Sequence, residues 1–156
     1  VLREIVLEYT GENMTKKISN DDKGRPFIEG RPDIFISLSH SKGAVAAAVG
    51  ERAVGIDIEY IRPVSDKVKA RVCKSAPEND NKFFKVWTIK EAYLKKTGEG
   101  IRRDLKEICT EIGIDGHFFD VRDFGGAIIS LCLEKEDEVA FIEISKNELE
   151  KRFLYV

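Results

Sequence analysis

Between Val54 and Glu59 the chain reads Val-Gly-Ile-Asp-Ile-Glu, and Pro63 follows shortly after. Strict alternation of branched apolar and acidic residues matches the two-residue period of a strand and not the 3.6-residue period of a helix. Ile56 and Ile58 therefore share one face, and Asp57 and Glu59 share the other. Two carboxylates on one strand face have two readings. They are either the wet side of a half-buried strand or a pair of oxygen ligands for a hard cation.

Other segments place this strand in a wider frame. Leu2, Ile5, Val6 and Tyr9 follow the spacing of an amphipathic helix that Gly11 stops. Asn20 to Gly30 reads as a polar turn, punctuated by Gly24, Pro26 and Gly30. Ile34–Leu38 and Val45–Val49 read as two strands joined across Ser39-His40-Ser41-Lys42-Gly43, although Ala46–Ala48 fits a helix equally well by propensity. A helix is expected around Ser65–Cys73, a loop over Pro77–Asn81, and a longer helix from Phe83 to Thr97 with Gly98 as its terminator. Strands are expected near Ile108–Ile112, Phe118–Arg122, Ala127–Leu133 and Val139–Ile144. Ser145 and Glu148 have the spacing of a capping box that opens a final short helix. Strands punctuated by a few helices point to an α+β fold.

Composition narrows the function classes. At 156 residues the chain is long enough for one domain with a real core, and 42% hydrophobic with 35% charged residues is the balance of a soluble globular protein. A net charge of -2 gives no general reason to expect nucleic-acid binding. No apolar run approaches the ~18 residues of a membrane span, and the first residues lack the pattern of a signal peptide. Cys73, Cys109 and Cys132 form no CxxC pair, which disfavours a zinc site or a disulfide framework, so a cytoplasmic location is expected. From Arg62 to Lys96 there are ten basic residues against four acidic ones. That excess of six leaves eight net negative charges on the remainder. The stretch is either a solvated helical surface or a face for an anionic ligand or an acidic partner.

Glu91 and Lys95 stand four residues apart on the long helix, with Trp87 one turn earlier on the same side. Alone, they read as an ordinary helix ion pair beside a core tryptophan, and Ser39-His40 reads as a polar turn. In order along the chain the motifs say more. Arg25-Pro26, Leu38-Ser39-His40-Ser41, Gly55-Ile56-Asp57-Ile58-Glu59 and the segment from Trp87 through Lys90-Glu91 to Lys95 resemble the 4′-phosphopantetheinyl transferases. The pattern is that of the larger, surfactin-synthetase-type branch: G-[KR]-P, SHS, GIDIE and W-[ST]-x-K-E-[AS]-x-x-K. Gly98-Glu99-Gly100-Ile101 is similar to that family's G-x-G-[LI] segment, and the resemblance runs from Val1 to roughly Asp123.

This resemblance implies magnesium-dependent transfer of the 4′-phosphopantetheine group from coenzyme A to a serine of an acyl or peptidyl carrier protein. It implies magnesium at Asp57, Glu59 and Glu91, with Glu91 also helping to deprotonate the serine, directly or through a metal-bound water. Lys95 is implied on a coenzyme A phosphate, and Lys90 as a further contributor there or as a residue orienting the helix. Arg25, Ser39 and His40 match positions that hold the 3′-phosphate and adenosine end of coenzyme A. An acidic carrier is expected to dock along Arg62–Lys85.

Family members of this branch usually carry several dozen more residues before the opening helix. A single domain over 1–156 is therefore expected, built of two similar α+β halves, about 1–53 and 54–156, with the first shortened. A shortened half exposes sheet edges, which favours self-association. Ile36-Ser37 also replaces the Phe-Asn often found before Leu-Ser-His. The competing readings are a catalytically silent module that binds coenzyme A or a carrier, and another magnesium-dependent phosphoryl-transfer enzyme. The chain has no GxxxxGK[ST] loop, which argues against a nucleoside triphosphatase.

Overall fold

A computed structural model describes residues 1–12, 18–100, 104–110, 113–114, 116–136, 139–145 and 147–148. The expected α+β class holds, with two antiparallel sheets and three helices among these residues. Helix α1 (Leu2–Thr10) buries Val6 completely and ends at Gly11, whose left-handed φ of 68° turns its N–H back to the Leu7 carbonyl. The first sheet follows in chain order: β1 (Ile18–Asn20), β2 (Pro26–Ile28), β3 (Phe35–Ser41) and β4 (Ala44–Gly50). Helix α1 covers part of it, where Val6 packs with Ile28, Ile34 and Ile36.

The second sheet has the order β5 (Gly55–Tyr60), β7 (Ala127–Leu133), β6 (Phe118–Phe124). Its central strand β7 is buried from Ala127 to Cys132. Between β5 and β6 lie α2 (Asp66–Val72), α3 (Asp80–Thr97) and a 3-10 turn at Leu105–Glu107. Asn79 caps α3 by accepting from the Lys82 amide, and Gly98 ends it with φ 67°. Phe83 and Phe84 anchor α3 against Val72 of α2 and Ile128 of β7, each buried ring contributing about 1.5–3 kcal/mol.

Two contacts place the parts relative to one another. At the first, Gly55 of β5 faces the backbone of α3. A β-carbon there would overlap the Ala92 carbonyl oxygen and lie 2.6 Å from the Lys96 amide nitrogen. Only glycine lets the helix come this close.

The second contact is a polar seam. Among the described residues strand β5 pairs with β7 on one edge only, and β3 runs along the other. There the hydroxyls of Ser37, Ser39 and Ser41 accept from the amides of Ile56 (3.1 Å), Ile58 (3.3 Å) and Tyr60 (3.4 Å). Serine side chains stand where a neighbouring strand would offer carbonyls. On the opposite face of β5, Ile56 and Ile58 pack with Ala46 and Ala48 of β4 and with Ile129 and Leu131 of β7, so one core spans both sheets.

Several local expectations change. Ser39, His40 and Ser41 lie inside β3, and the connection to β4 is only Lys42-Gly43, both at positive φ (40° and 85°). The two-residue turn matches the strand twist and frees the Ser-His-Ser segment for pairing. Ala46–Ala48 is strand, because pairing with β3 and packing under β5 outweigh alanine's helix propensity. The polar stretch Asn20–Gly30 includes β2, paired to β1 on one side and β3 on the other.

Ile108–Thr110 forms no strand; it follows the 3-10 turn and buries Ile108 against α3, while residues 111 and 112 lie outside the described set. Among the described residues Val139–Ile144 pairs with no strand, and Phe141 packs on the Arg122 guanidinium at 4.4 Å. The Ser145–Glu148 capping box forms in both directions, and residues 149–156, where the final helix is expected to continue, lie outside the described set.

Replacing Gly55→Ala is expected to cost about 3 kcal/mol, since backbone and not a flexible side chain opposes the new carbon. Ser37→Ala strands the buried Ile56 amide and is expected to cost about 1–3 kcal/mol. Urea unfolding of both variants beside an exposed control, Ser75→Ala, measures these losses.

Candidate active site

Gly55, Asp57 and Glu59 share the face of β5 that looks toward α3. The glycine brings the helix in, and the next two positions supply carboxylates beneath it. Asp57 is only 5% exposed. Its Oδ1 accepts from the Ser39 hydroxyl and from Lys95 Nζ, both at 2.7 Å, while its Oδ2 is buried without a hydrogen-bond partner. Glu59 Oε2 accepts from the Ser41 hydroxyl at 2.9 Å and from Arg62 at 2.7 Å. Ser39 and Ser41 each take one β5 amide and give one proton to a β5 carboxylate, so the seam that joins the sheets also aims both acids.

The helix supplies the other two groups in an unexpected pairing. Lys95 does not bridge back to Glu91. It reaches across to Asp57 and to the Ile56 carbonyl (3.1 Å). Glu91 is left half-buried and makes no hydrogen bond among the described residues. Burial holds its carboxyl above the ordinary 4.5, and the negative charges of Asp57 and Glu59 add to the shift. Burial likewise raises Asp57 above 3.8 despite the opposing pull of Lys95. The influence of both β5 carboxylates on Glu91 places the three acids in one electrostatic cluster.

A cleft of about 600 Å3 opens beside this cluster, with Glu91, Lys95 and Lys96 on one wall and Lys23 and Arg25 on another. Arg25 is fixed by Asp21, whose carboxylate takes the Arg25 Nε at 2.8 Å and the amides of Lys23 and Arg25 at 2.9 Å. The amide and side chain of Arg25 hold the Asp21 carboxyl below its ordinary value.

The structure thus gathers Asp57, Glu59, Glu91, Lys95 and Ser39, and sets Arg25 in the same cleft as Glu91 and Lys95. His40 is exposed on the other face of β3 from Ser39. Lys90 turns away, its buried ammonium donating to the Val72 (2.7 Å) and Leu105 (2.8 Å) carbonyls, and burial lowers its pKa. It ties α3 to the end of α2 and to the 3-10 turn. Among the described residues, no three carboxylate, histidine or cysteine side chains converge closely enough to hold a metal ion. Lys95 takes Oδ1 of Asp57 and Arg62 takes Oε2 of Glu59, while Asp57 Oδ2 has no hydrogen-bond partner among the described residues. Ser37, Ser41 and Asp21 carry geometry that the sequence reading did not single out. Serine at 37, 39 and 41, the period of a strand, was the visible signal for the first two.

Residues 53–127, a span that contains Asp57, Glu59, Glu91 and Lys95, match the sequence model of the 4′-phosphopantetheinyl transferase superfamily. Among curated relatives, the 4′-phosphopantetheinyl transferase HetI of Nostoc sp. is 36% identical over 125 residues, 69% of this chain and 52% of that protein. The 4′-phosphopantetheinyl transferase psf-1 of Bacillus pumilus is 31% identical over 127 residues, 74% of this chain and 54% of that protein. Sfp of Bacillus subtilis is 27% identical over 119 residues, 70% of this chain and 53% of that protein. The chain spans about half the length of the curated relatives it matches. With the matched span enclosing the whole acid cluster and its lysine, the chain belongs to the 4′-phosphopantetheinyl transferase superfamily.

Proposed function

We propose that this protein transfers the 4′-phosphopantetheine arm of coenzyme A to a serine of an acyl or peptidyl carrier protein and releases 3′,5′-ADP. The observation that carries the reading is the pairing of Lys95 with Asp57, which leaves the Glu91 carboxyl unbonded and half-buried in a cleft lined by Lys23, Arg25, Lys95 and Lys96. A helix pair kept only for stability joins Glu91 to Lys95 and gains about 0.3–0.5 kcal/mol. Here that bond is not made.

The roles follow from the chemistry. The carrier serine oxygen forms a bond to the β-phosphorus of coenzyme A, and the bond from that phosphorus to the leaving ADP oxygen breaks. The serine proton goes to a base, and Glu91 fits that task by position, as the half-buried carboxyl of the cleft that makes no side-chain hydrogen bond among the described residues. The Lys95 ammonium offsets charge on the phosphates and on the leaving ADP, and Arg25 offers a further cation in the same cleft. Ser39 keeps Asp57 in position.

The chemistry of the donors suits magnesium, since Asp57, Glu59 and Glu91 all offer oxygen and Asp57 Oδ2 is a buried acceptor with no hydrogen-bond partner among the described residues. Bound there, the ion would supply positive charge against the pyrophosphate oxygens. An acidic carrier would meet α2 and its flanks, where Arg62, Lys67, Arg71 and Lys74 are exposed around Val68. No helix among the described residues is long and apolar enough to cross a membrane, which is compatible with action in the cytoplasm.

Mass spectrometry of an apo carrier protein incubated with this protein, coenzyme A and magnesium tests the reading. The expected outcome is a gain of the phosphopantetheine mass that chelation abolishes and that Glu91→Gln slows at least about 100-fold. Coenzyme A binding without transfer to any of several carriers would make it a silent binding module.

The raised carboxyls also predict a pH signature. Because the folded protein holds protons on Glu91 and Asp57 more tightly than the unfolded chain does, their contribution is complete below the ordinary 4.5 and 3.8. It is lost as pH rises through the raised values. Metal-free Glu91→Gln is therefore expected to melt a few degrees higher than wild type near neutral pH, with the gap closing in mild acid. Magnesium is expected to raise the Tm of wild type and not that of Glu91→Gln, and differential scanning calorimetry reads both effects.

A further inference from the structure

The turn between β1 and β2 is fastened to the end of α3 in a way that helix termination alone does not require. Lys23 Nζ donates to the Gly98 carbonyl at 3.0 Å. Beside it the Arg25 guanidinium lies against the Cα of Gly98. A β-carbon there would collide with Nη1 and lie 2.6 Å from Cζ and 2.9 Å from Nε. Asp21 holds the same guanidinium from its Nε side at 2.8 Å and closes the turn through two amides. Nη1 and Nη2 make no hydrogen bond among the described residues, and both Arg25 and Gly98 line the cleft that holds Glu91 and Lys95.

Comparison with the other helix that ends on glycine isolates what is special here. Gly11 ends α1 with φ 68° and Gly98 ends α3 with φ 67°, so both serve as left-handed caps. Among the described residues nothing lies within 4 Å of a β-carbon built on Gly11, whereas one on Gly98 meets Arg25. The Asp21–Arg25 pair is partly exposed, at 30% and 47%, and such a pair adds little to stability. What the pair does is fix a direction. With Nε committed and one side packed on Gly98, the guanidinium keeps its two Nη donors for a ligand, in the fork geometry that suits a phosphate.

We propose that Asp21 and Gly98 are positioning residues, a socket that holds Arg25 in the cleft so that its Nη fork receives the 3′-phosphate of coenzyme A while Lys95 serves the pyrophosphate. Gly98 is then required twice: for the backbone conformation that ends α3, and for the space the guanidinium occupies. Asp21 acts through Arg25 and does not touch the ligand. The proposal rests on the transferase reading of the same cleft.

Calorimetric titration of coenzyme A and of 3′-dephospho-coenzyme A into wild type, Gly98→Ala, Asp21→Asn, Arg25→Ala and Gly11→Ala tests it. The two glycine variants carry the same backbone strain and are expected to lose similar Tm. Gly98→Ala, Asp21→Asn and Arg25→Ala are expected to weaken coenzyme A roughly tenfold while leaving 3′-dephospho-coenzyme A unchanged. Gly11→Ala is expected to bind both as wild type does. Unaltered coenzyme A affinity in Gly98→Ala overturns the proposal, as does an equal loss for both ligands.

Wild type binding neither ligand brings down the transferase reading, and the socket is then judged by NMR of the Arg25 Nε–H group. Slow exchange in wild type that is lost in Asp21→Asn and Gly98→Ala upholds it; exchange that is the same in all three refutes it.

Discussion

A buried strand edge cannot leave its amides without acceptors, and among the described residues β5 has a strand partner on one side only. The rest of the molecule is arranged around how that requirement is met. Ser37, Ser39 and Ser41 bring hydroxyl oxygens to the three outward amides. A hydroxyl differs from a strand carbonyl in one respect that matters here, because it has a proton left to give. Ser39 and Ser41 spend theirs on Asp57 and Glu59. The device that joins the two sheets therefore also sets the carboxylates, and neither job can be altered without the other.

Close approach of α3 at Gly55 completes the site by backbone geometry. The contact falls on Ala92 and Lys96, the turn of helix that contains Lys95, and it brings the Lys95 ammonium within reach of Asp57 and the Ile56 carbonyl. Burial strips these carboxylates of hydration, and their like charges repel, which shows in the upward shifts of Asp57 and Glu91. A chain selected for stability alone would not keep them. Lys95 relieves part of the cost on Asp57 and none by direct bonding on Glu91.

Much of this was legible in particular residues. The alternation through Ile56-Asp57-Ile58-Glu59 put both acids on one face, and that is where they stand. Gly11 and Gly98 marked helix ends correctly, because a left-handed cap is a local requirement. Ser39-His40-Ser41 was misjudged as a connector, since a polar tripeptide looks the same in a turn and in a strand whose inward face is polar. Val139–Ile144 had a strand's pattern and makes no strand pairing, because alternation does not guarantee an unoccupied neighbouring edge. Lys90 and Lys95 sit five apart in the same motif, yet one ammonium is consumed in holding α2 to α3 while the other reaches the acids. Their angular positions on the helix distinguish them, but which face looks at β5 is set by packing.

By itself, then, the sequence determined the local periods, the helix stops and the order of acidic, basic and serine motifs, because these depend on neighbours within a turn or two. Tertiary structure alone decided which partner each charged group takes. Lys95 chose Asp57 over Glu91, Arg25 came to rest on Gly98, and the serines turned toward β5, each through contacts between residues 18 to 73 positions apart. Such pairings depend on how closely two backbones approach, and at Gly55 that distance is set by the absence of a single carbon atom.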